Sequence, residues 1–196
     1  MISEKLRKNI ESKLGTSMPS AAWKKMQSYC STKAIKKKEI VLREGQFCDQ
    51  LFFVEKGLMY SYQVTNDLDN QVTQIAYEDF WISDLYSFFS KKPAIYHIKA
   101  LEDSHIVCIS RDNFEKACLE IPVLERFFRI LFQNAYVSNQ RRLIQNIHEE
   151  ASARYCQLLE QKPEIIRRVP QYILASYLGI KPQSLSRIRK KWSDGK

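Results

Sequence analysis

Two short amphipathic patterns meet across one glycine between residues 169 and 192, and few folds satisfy both at once. Ile173, Leu174, Tyr177 and Leu178 make one apolar helix face. Gly179 ends that helix, Ile180 plugs the turn, and Pro182 opens a second helix. In the second helix Leu185, Ile188 and Trp192 fall three and four residues apart and turn inward, which leaves Gln183, Ser184, Arg187, Lys190 and Lys191 on the other side. No acidic residue occurs from Lys181 to Lys191. A face of one sign suits the groove between two phosphate chains of a DNA duplex. Arg187 carries the planar fork that bonds guanine O6 and N7, Gln183 can pair with adenine, and Ser184 can reach a base or a phosphate. Lys181, Arg189, Lys190 and Lys191 are placed for phosphates, as are Arg167 and Arg168 just upstream. The competing reading is a solvated basic helix end, which the helix dipole also favours.

The rest of the chain must supply what such a helix pair is attached to. Its 196 residues allow one larger and one smaller unit. With 44% hydrophobic and 27% charged residues the chain falls in the soluble globular class. The net charge of +9 is compatible with a polyanionic partner, although charge alone does not select one. No apolar run approaches the roughly 18 residues that span a bilayer. Residues 1–14 are a charged amphipathic stretch without a signal-peptide core, so the expected compartment is the cytoplasm and no membrane partner is expected.

Apolar positions at helical spacing (Leu6, Ile10, Leu14, then Trp23, Met26, Cys30), broken by Gly15 and Pro19, predict two short helices in the first 34 residues. Extended segments rich in Val, Ile, Phe and Tyr follow at 39–43, 51–55, 58–64, 70–77, 96–101 and 105–110. Turn signals separate them at Glu44-Gly45, Lys56-Gly57 and the polar run 66–70, which suits a hairpin tip. This pattern predicts a compact antiparallel β roll or barrel. Helical spacing returns after Asn113, and one long helix is predicted from near Pro122. Its stripe through Leu124, Phe128, Leu131 and Ala135 is expected to pack partly on the roll and partly against a second copy, with a plain core helix as the alternative. Helical periodicity restarts at Glu149 and breaks at Lys162-Pro163. The expected organisation is therefore α+β: a β-roll domain over 1–120, a dimerisation helix over 121–147, and an all-α helix-turn-helix domain over 148–196.

Nothing in the sequence points to catalysis. His97, His105 and His148 lie far apart and no glycine-rich loop could cradle a phosphate. The five cysteines show no paired spacing, so they read as reduced thiols without a metal site.

Two stretches carry a resemblance to a known family. Glu44, Gly45 and Gln46, followed by Leu51-Phe52-Phe53-Val54-Glu55-Lys56-Gly57, resemble the opening strands and turn of a cyclic-nucleotide-binding β roll. Residues 169–191, from Val169-Pro170-Gln171 through Gly179-Ile180-Lys181-Pro182-Gln183-Ser184-Leu185 to Lys191, resemble the helix-turn-helix of the cyclic-AMP receptor protein/FNR family of bacterial regulators, in its Bacteroidetes form. The resemblance covers most of the chain. It implies a β-roll sensor, a homodimer, RNA polymerase as a partner, and base-reading positions at Pro182, Gln183 and Arg187.

The same resemblance brings departures. Cyclic-AMP-responsive members hold the ribose with a Gly-Glu pair and the cyclic phosphate with an Arg about ten residues later. Here the stretch reads Phe80-Trp81-Ile82-Ser83-Asp84-Leu85, and Ala94 falls where that Arg would stand. A phosphate without its cation forgoes a charge-assisted hydrogen bond of roughly 1.5–3 kcal/mol, so ordinary cyclic-nucleotide binding is not expected. Trp81, Ser83, Asp84, Leu85, Tyr96 and His97 remain the candidate lining for an unidentified small effector. The family's iron-sulfur subgroup clusters cysteines near the N-terminus; only Cys30 lies there, so no cluster is expected. Only four residues follow Trp192, so the β-hairpin wing of relatives is expected to be reduced or absent.

The leading expectation is thus a dimeric transcription regulator on double-stranded DNA with an approximately palindromic operator. The alternatives are a ligand-binding module acting on a protein partner and a ligand-independent DNA-binding protein.

Overall fold

Leu51-Phe52-Phe53-Val54 and Ile106-Val107-Cys108-Ile109 are continuous apolar runs, too short for a core helix and too uniform for a strand with one wet face. Such runs are stable only as strands covered on both sides. The computed structural model describes residues 2–65 and 70–194, with the side chains of 193 and 194 excepted, and places both runs in that setting. The polar run read as a hairpin tip lies, over 66–69, outside the described residues.

The chain divides into two compact units, Met1–Ser61 with Ala76–Ala135, and Tyr62–Ile75 with Tyr136–Lys196. In the first, helices α1 (Glu4–Leu14) and α2 (Ser20–Ser28) precede strands β1 (Cys30–Ile35), β2 (Ile40–Leu42), β3 (Gln50–Lys56) and β4 (Met59–Val64). Strands β5 (Asn70–Ala76) and β6 (Trp81–Ile82), helix α3 (Leu85–Ser90), strands β7 (His97–Ala100) and β8 (Ser104–Ser110), and helix α4 (Arg111–Glu120) follow, with β4 from Tyr62 onward and β5 up to Ile75 counted in the second unit. The long helix α5 (Pro122–His148) begins in this unit. The strands form two four-stranded sheets, ordered β1-β8-β3-β6 and β2-β7-β4-β5. The fold class is α+β, an antiparallel β roll with flanking helices, as the sequence pattern predicts.

Alternation along β3 and β8 distributes one set of residues to each side of their sheet. Phe52, Val54, Ile106 and Cys108 join Ile82, Ile98 and Met59 in a core between the sheets. Leu51, Phe53, Val107 and Ile109 face the other way, into a core made with α1, α2, α4 and α5. The register Phe52↔Cys108 and Phe53↔Val107 keeps like faces together. Strand β1 pairs along the outer edge of β8, and its exposed Ser31, Thr32 and Lys33 carry no apolar alternation for a sequence reading to detect. Helix α1 is capped by Ser3 and closed by Gly15 at φ 68°, and Asn9 on it donates to the Asp79 carbonyl at 2.8 Å.

Two of the residues expected at a dimer interface are corrected by this packing. Leu124 and Phe128 are 0% and 1% exposed in the helix-side core, where Phe128 meets Phe114 and Trp81, so they hold the first unit together and present nothing to a second copy. Leu131 is partly buried against the same core and Ala135 is half-buried.

The second unit contains the rest of α5 with α6 (Ala151–Gln161), α7 (Pro163–Arg168), α8 (Gln171–Tyr177) and α9 (Pro182–Asp194). Tyr155, Leu158, Ile165, Ile173, Leu174 and Leu185 are among its buried side chains, one or more from each of α6 to α9. Arg154 braces it: the guanidinium donates to the carbonyls of Gln145, Glu149 and Leu178, where α5 and α8 end.

Gly57 tests the roll. It sits at φ 103°, and an added Cβ would lie 2.7 Å from the Ser104 Cα. Backbone strain and a clash with main chain act together, so Gly57→Ala is expected to lower unfolding free energy by about 2–3 kcal/mol in chemical denaturation. A loss within about 0.5 kcal/mol would show that the β3–β4 turn is not as tightly apposed as described.

Candidate functional site

Helix α8 ends because Gly179 takes a left-handed conformation at φ 68° that residues with a Cβ adopt at a cost. The Gly179 N–H donates to the Ser176 carbonyl and the Ile180 N–H to the Ala175 carbonyl, each at 3.0 Å. This paired closure reverses the chain within four residues and places Pro182 in the first turn of α9, where its missing N–H is harmless. The Ser184 and Leu185 amides donate to the Lys181 carbonyl, starting the new helix.

The two helices are then fixed to each other and to α6. Leu185 is 0% exposed. Gln171 on α8 donates to the Pro182 carbonyl at 3.3 Å and to Ser186 Oγ at 2.6 Å. At the far end, the Trp192 indole N–H donates to Cys156 Sγ at 2.8 Å. Gln171, Arg154 and Cys156 are positioning residues that periodicity could not reveal, because each acts through a hydrogen bond to another element.

With the inner face anchored, the outer face of α9 is set. Gln183, Arg187, Arg189, Lys190 and Lys191 are exposed, as is Lys181 before the helix, whereas Ser184, Ile188 and Trp192 are half-buried. From 165 to 193 there are seven Lys and Arg residues and no Asp or Glu. The upstream arginines differ from these: Arg167 is ion-paired with Glu164, and Arg168 is half-buried. The arrangement is an exposed, single-sign donor surface on a rigid helix, suited to phosphate oxygens and base edges.

The six residues proposed to line an effector site do not converge. Trp81 turns into the helix-side core, its ring centroid 5.4 Å from Phe53 and 5.7 Å from Phe128, with its indole N–H donating to Asn9 Oδ1. Leu85 packs against the same core. Both belong to the packing between the roll and its helices. Ser83 donates to the Gln50 carbonyl at 2.8 Å, and His97 Nδ1 accepts from the Glu44 N–H at 3.3 Å. Asp84 is enclosed and binds the backbone, and the Tyr96 N–H is one of its donors. The interior of the roll that these residues border is packed with apolar side chains, Ala94 among them.

Three of the thiols are poor nucleophiles. Burial pushes Cys30 up to about 12 and Cys108 and Cys118 up to about 11, so almost no thiolate forms at neutral pH. Among the described residues no group of three or more His, Cys, Asp or Glu could hold a metal ion, and no helix is long and apolar enough to cross a membrane.

Residues 32–120 match the family model of the cyclic nucleotide-binding domain. Solved structures share the fold well beyond that segment. The c-di-GMP responsive global regulator CLP of Xanthomonas campestris is similar with a TM-score of 0.71 at 14% identity, over 90% of this chain and 93% of that one. FixK2 of Bradyrhizobium japonicum gives 0.70 at 16% identity, over 85% of each chain. The catabolite activator protein of Thermus thermophilus gives 0.60 at 14% identity, over 93% and 87%. No curated protein sequence matches the chain. The cyclic nucleotide-binding fold is therefore present over residues 32–120, and the likeness in fold extends across the C-terminal helices.

Anchor and outer face separate cleanly in a stability measurement. Leu185→Ala empties a fully buried position and is expected to cost about 2–4 kcal/mol in the unfolding of the second unit. Arg187→Ala removes only exposed atoms and is expected to change stability by less than about 0.5 kcal/mol. A large loss for Arg187→Ala would mean that its side chain is structural.

Proposed function

We propose that this chain is a DNA-binding transcription regulator of the cyclic-AMP receptor protein/FNR type, working as a homodimer in the cytoplasm, with α8 and α9 as its helix-turn-helix. The observation that carries the reading is the outer face of α9, exposed and with cations as the only charged residues from 181 to 191, over a helix whose inner face is locked by Leu185, Gln171 and Trp192. A reading head must be rigid, because base discrimination depends on donor positions. Arg187 and Gln183 take the base-reading roles, with Ser184 beside them. Lys181, Arg189, Lys190 and Lys191 take phosphates, helped by Arg167 and Arg168.

The dimer is assigned to the second half of α5. Val137, Gln140, Ile144 and Ile147 recur at three- and four-residue spacing, and Val137, Ile144 and Ile147 are 58–75% exposed. Tyr136 and Leu143 lie beside them, also exposed. A helical seam of this kind is stable in water when a second copy covers it. Two α9 helices carried by such a dimer reach successive major grooves about 34 Å apart on an approximately palindromic site. RNA polymerase is the expected downstream partner.

Two measurements test this. In fluorescence anisotropy with a selected operator, Arg187→Ala is expected to lose roughly 1–3 kcal/mol and to relax preference at one base position, while Lys191→Ala weakens all duplexes alike and reduces the salt slope by about one. Identical, sequence-independent losses for both would contradict the roles given to them. In analytical ultracentrifugation, Ile144→Glu is expected to sediment as a folded monomer and the parent chain as a dimer; a dimer that survives the change would place the interface elsewhere.

A further inference from the structure

Asp84 is 0% exposed, and its hydrogen-bond partners are all backbone amides. One carboxylate oxygen accepts from the Ser87 N–H at 2.9 Å; the other accepts from both the Ile95 N–H at 2.7 Å and the Tyr96 N–H at 3.1 Å. Consecutive amides aimed at one oxygen form a concavity that favours an anion, and a buried carboxylate needs such donors to offset its lost hydration.

Asp84 caps α3, and the cradle has further pins besides the residue that fills it. The Ala94 N–H donates to the Gln46 carbonyl at 2.7 Å, and the Gly45 N–H to the Ala94 carbonyl at 2.8 Å. Ser87 Oγ accepts from the Cys48 N–H and donates to the Lys92 carbonyl. Arg111 donates to the carbonyls of Phe88, Cys48 and Ser87. The loop from 84 to 96 is thus pinned at several points around the amides of 95 and 96. Behind it, Ala94 lies 3% exposed within the packed interior of the roll, together with Ile98, Ile82 and Cys48.

We propose that Asp84 is a tethered anion that permanently fills the amide cradle of this loop, so that the sensor domain takes no phosphate-bearing ligand, cyclic nucleotides included. The carboxylate satisfies the donors to which a phosphate oxygen would bind, and a ligand phosphate would bring a second anion into a buried space where the Arg111 guanidinium is already spent on loop carbonyls. The proposal rests on reading the first unit as a sensor domain and is independent of whether α9 reads DNA.

The test combines thermal unfolding with amide NMR on the full chain. For the parent protein, millimolar cyclic AMP, cyclic GMP or inorganic phosphate is expected to leave both the midpoint and the Ile95 and Tyr96 resonances unchanged. For Asp84→Ala, the midpoint is expected to fall by roughly 5 °C or more. Formate or inorganic phosphate should then recover most of that loss, beyond chloride at equal ionic strength, and should move the same two resonances. Stabilisation of the parent protein by a cyclic nucleotide with movement of those amides would overturn the proposal, as would a folded variant that gains no more from formate or phosphate than from chloride. If Asp84→Ala does not fold, the parent titrations decide alone. Duplex binding by the same parent preparation is recorded alongside, so a failure of the regulator reading appears separately from a failure of this one.

Discussion

Strands β3 and β8 are the members on which the first unit depends, because they are buried on both faces. Their side chains are shared between two cores: Phe52 and Cys108 go to the space between the sheets, and Phe53 and Val107 to the space under the helices. At roughly 25 cal/mol per Å2 of apolar surface, a strand covered twice contributes about twice what an edge strand can. The arrangement also explains why helices flank the roll. Without α1, α2, α4 and the first half of α5, which brings Phe127 and Phe128, the roll's Leu51, Phe53, Trp81 and Val107 would lie in water.

The second unit solves a different problem, holding a highly charged helix in one orientation. Like charges on α9 repel one another, and surface cations contribute little to folding. Its position is therefore set by groups on the other side: Leu185 in the core, Gln171 across the turn, Trp192 on Cys156. Two contacts hold β5 within this unit: Ser176 on α8 accepts from the Val72 N–H at 2.9 Å, and the Arg142 guanidinium, 4.6 Å from the centre of the Tyr177 ring, donates to the Val72 carbonyl at 3.3 Å. The donor surface is thus created by packing that buries none of it.

What the sequence made legible follows from where burial writes a pattern. Apolar segments with one or two covered faces, such as 51–55, 105–110 and the stripes on α1 and α8, stand out within a residue or two of their bounds. Elements held by the backbone or by edges do not. β1 is a polar edge strand, β6 is two residues long, and α3 and α7 are helices of six residues each. Periodicity also cannot say which partner covers a stripe. Leu124 and Phe128 have the spacing of a helix interface, yet they complete their own core, and the exposed seam begins only past Ala135. Trp81 illustrates the same limit in a strand, where one register step separates the roll interior, occupied by Ile82, from the helix layer. The outward set on α9 was readable because glycine, proline and three anchors fix its phase. The carboxylate in the loop at Asp84 was visible as a residue, but its role depends on amides eleven and twelve positions away.

The central claim, that a pair of α9 helices reads one duplex, is tested most directly by selecting duplexes from a random pool with the full chain and footprinting the enriched sequence with hydroxyl radicals. The account predicts enrichment of an approximately palindromic site, with two symmetric protected regions centred about one helical turn, roughly 34 Å, apart. Recovery of no preferred sequence, or protection without twofold symmetry, would contradict it.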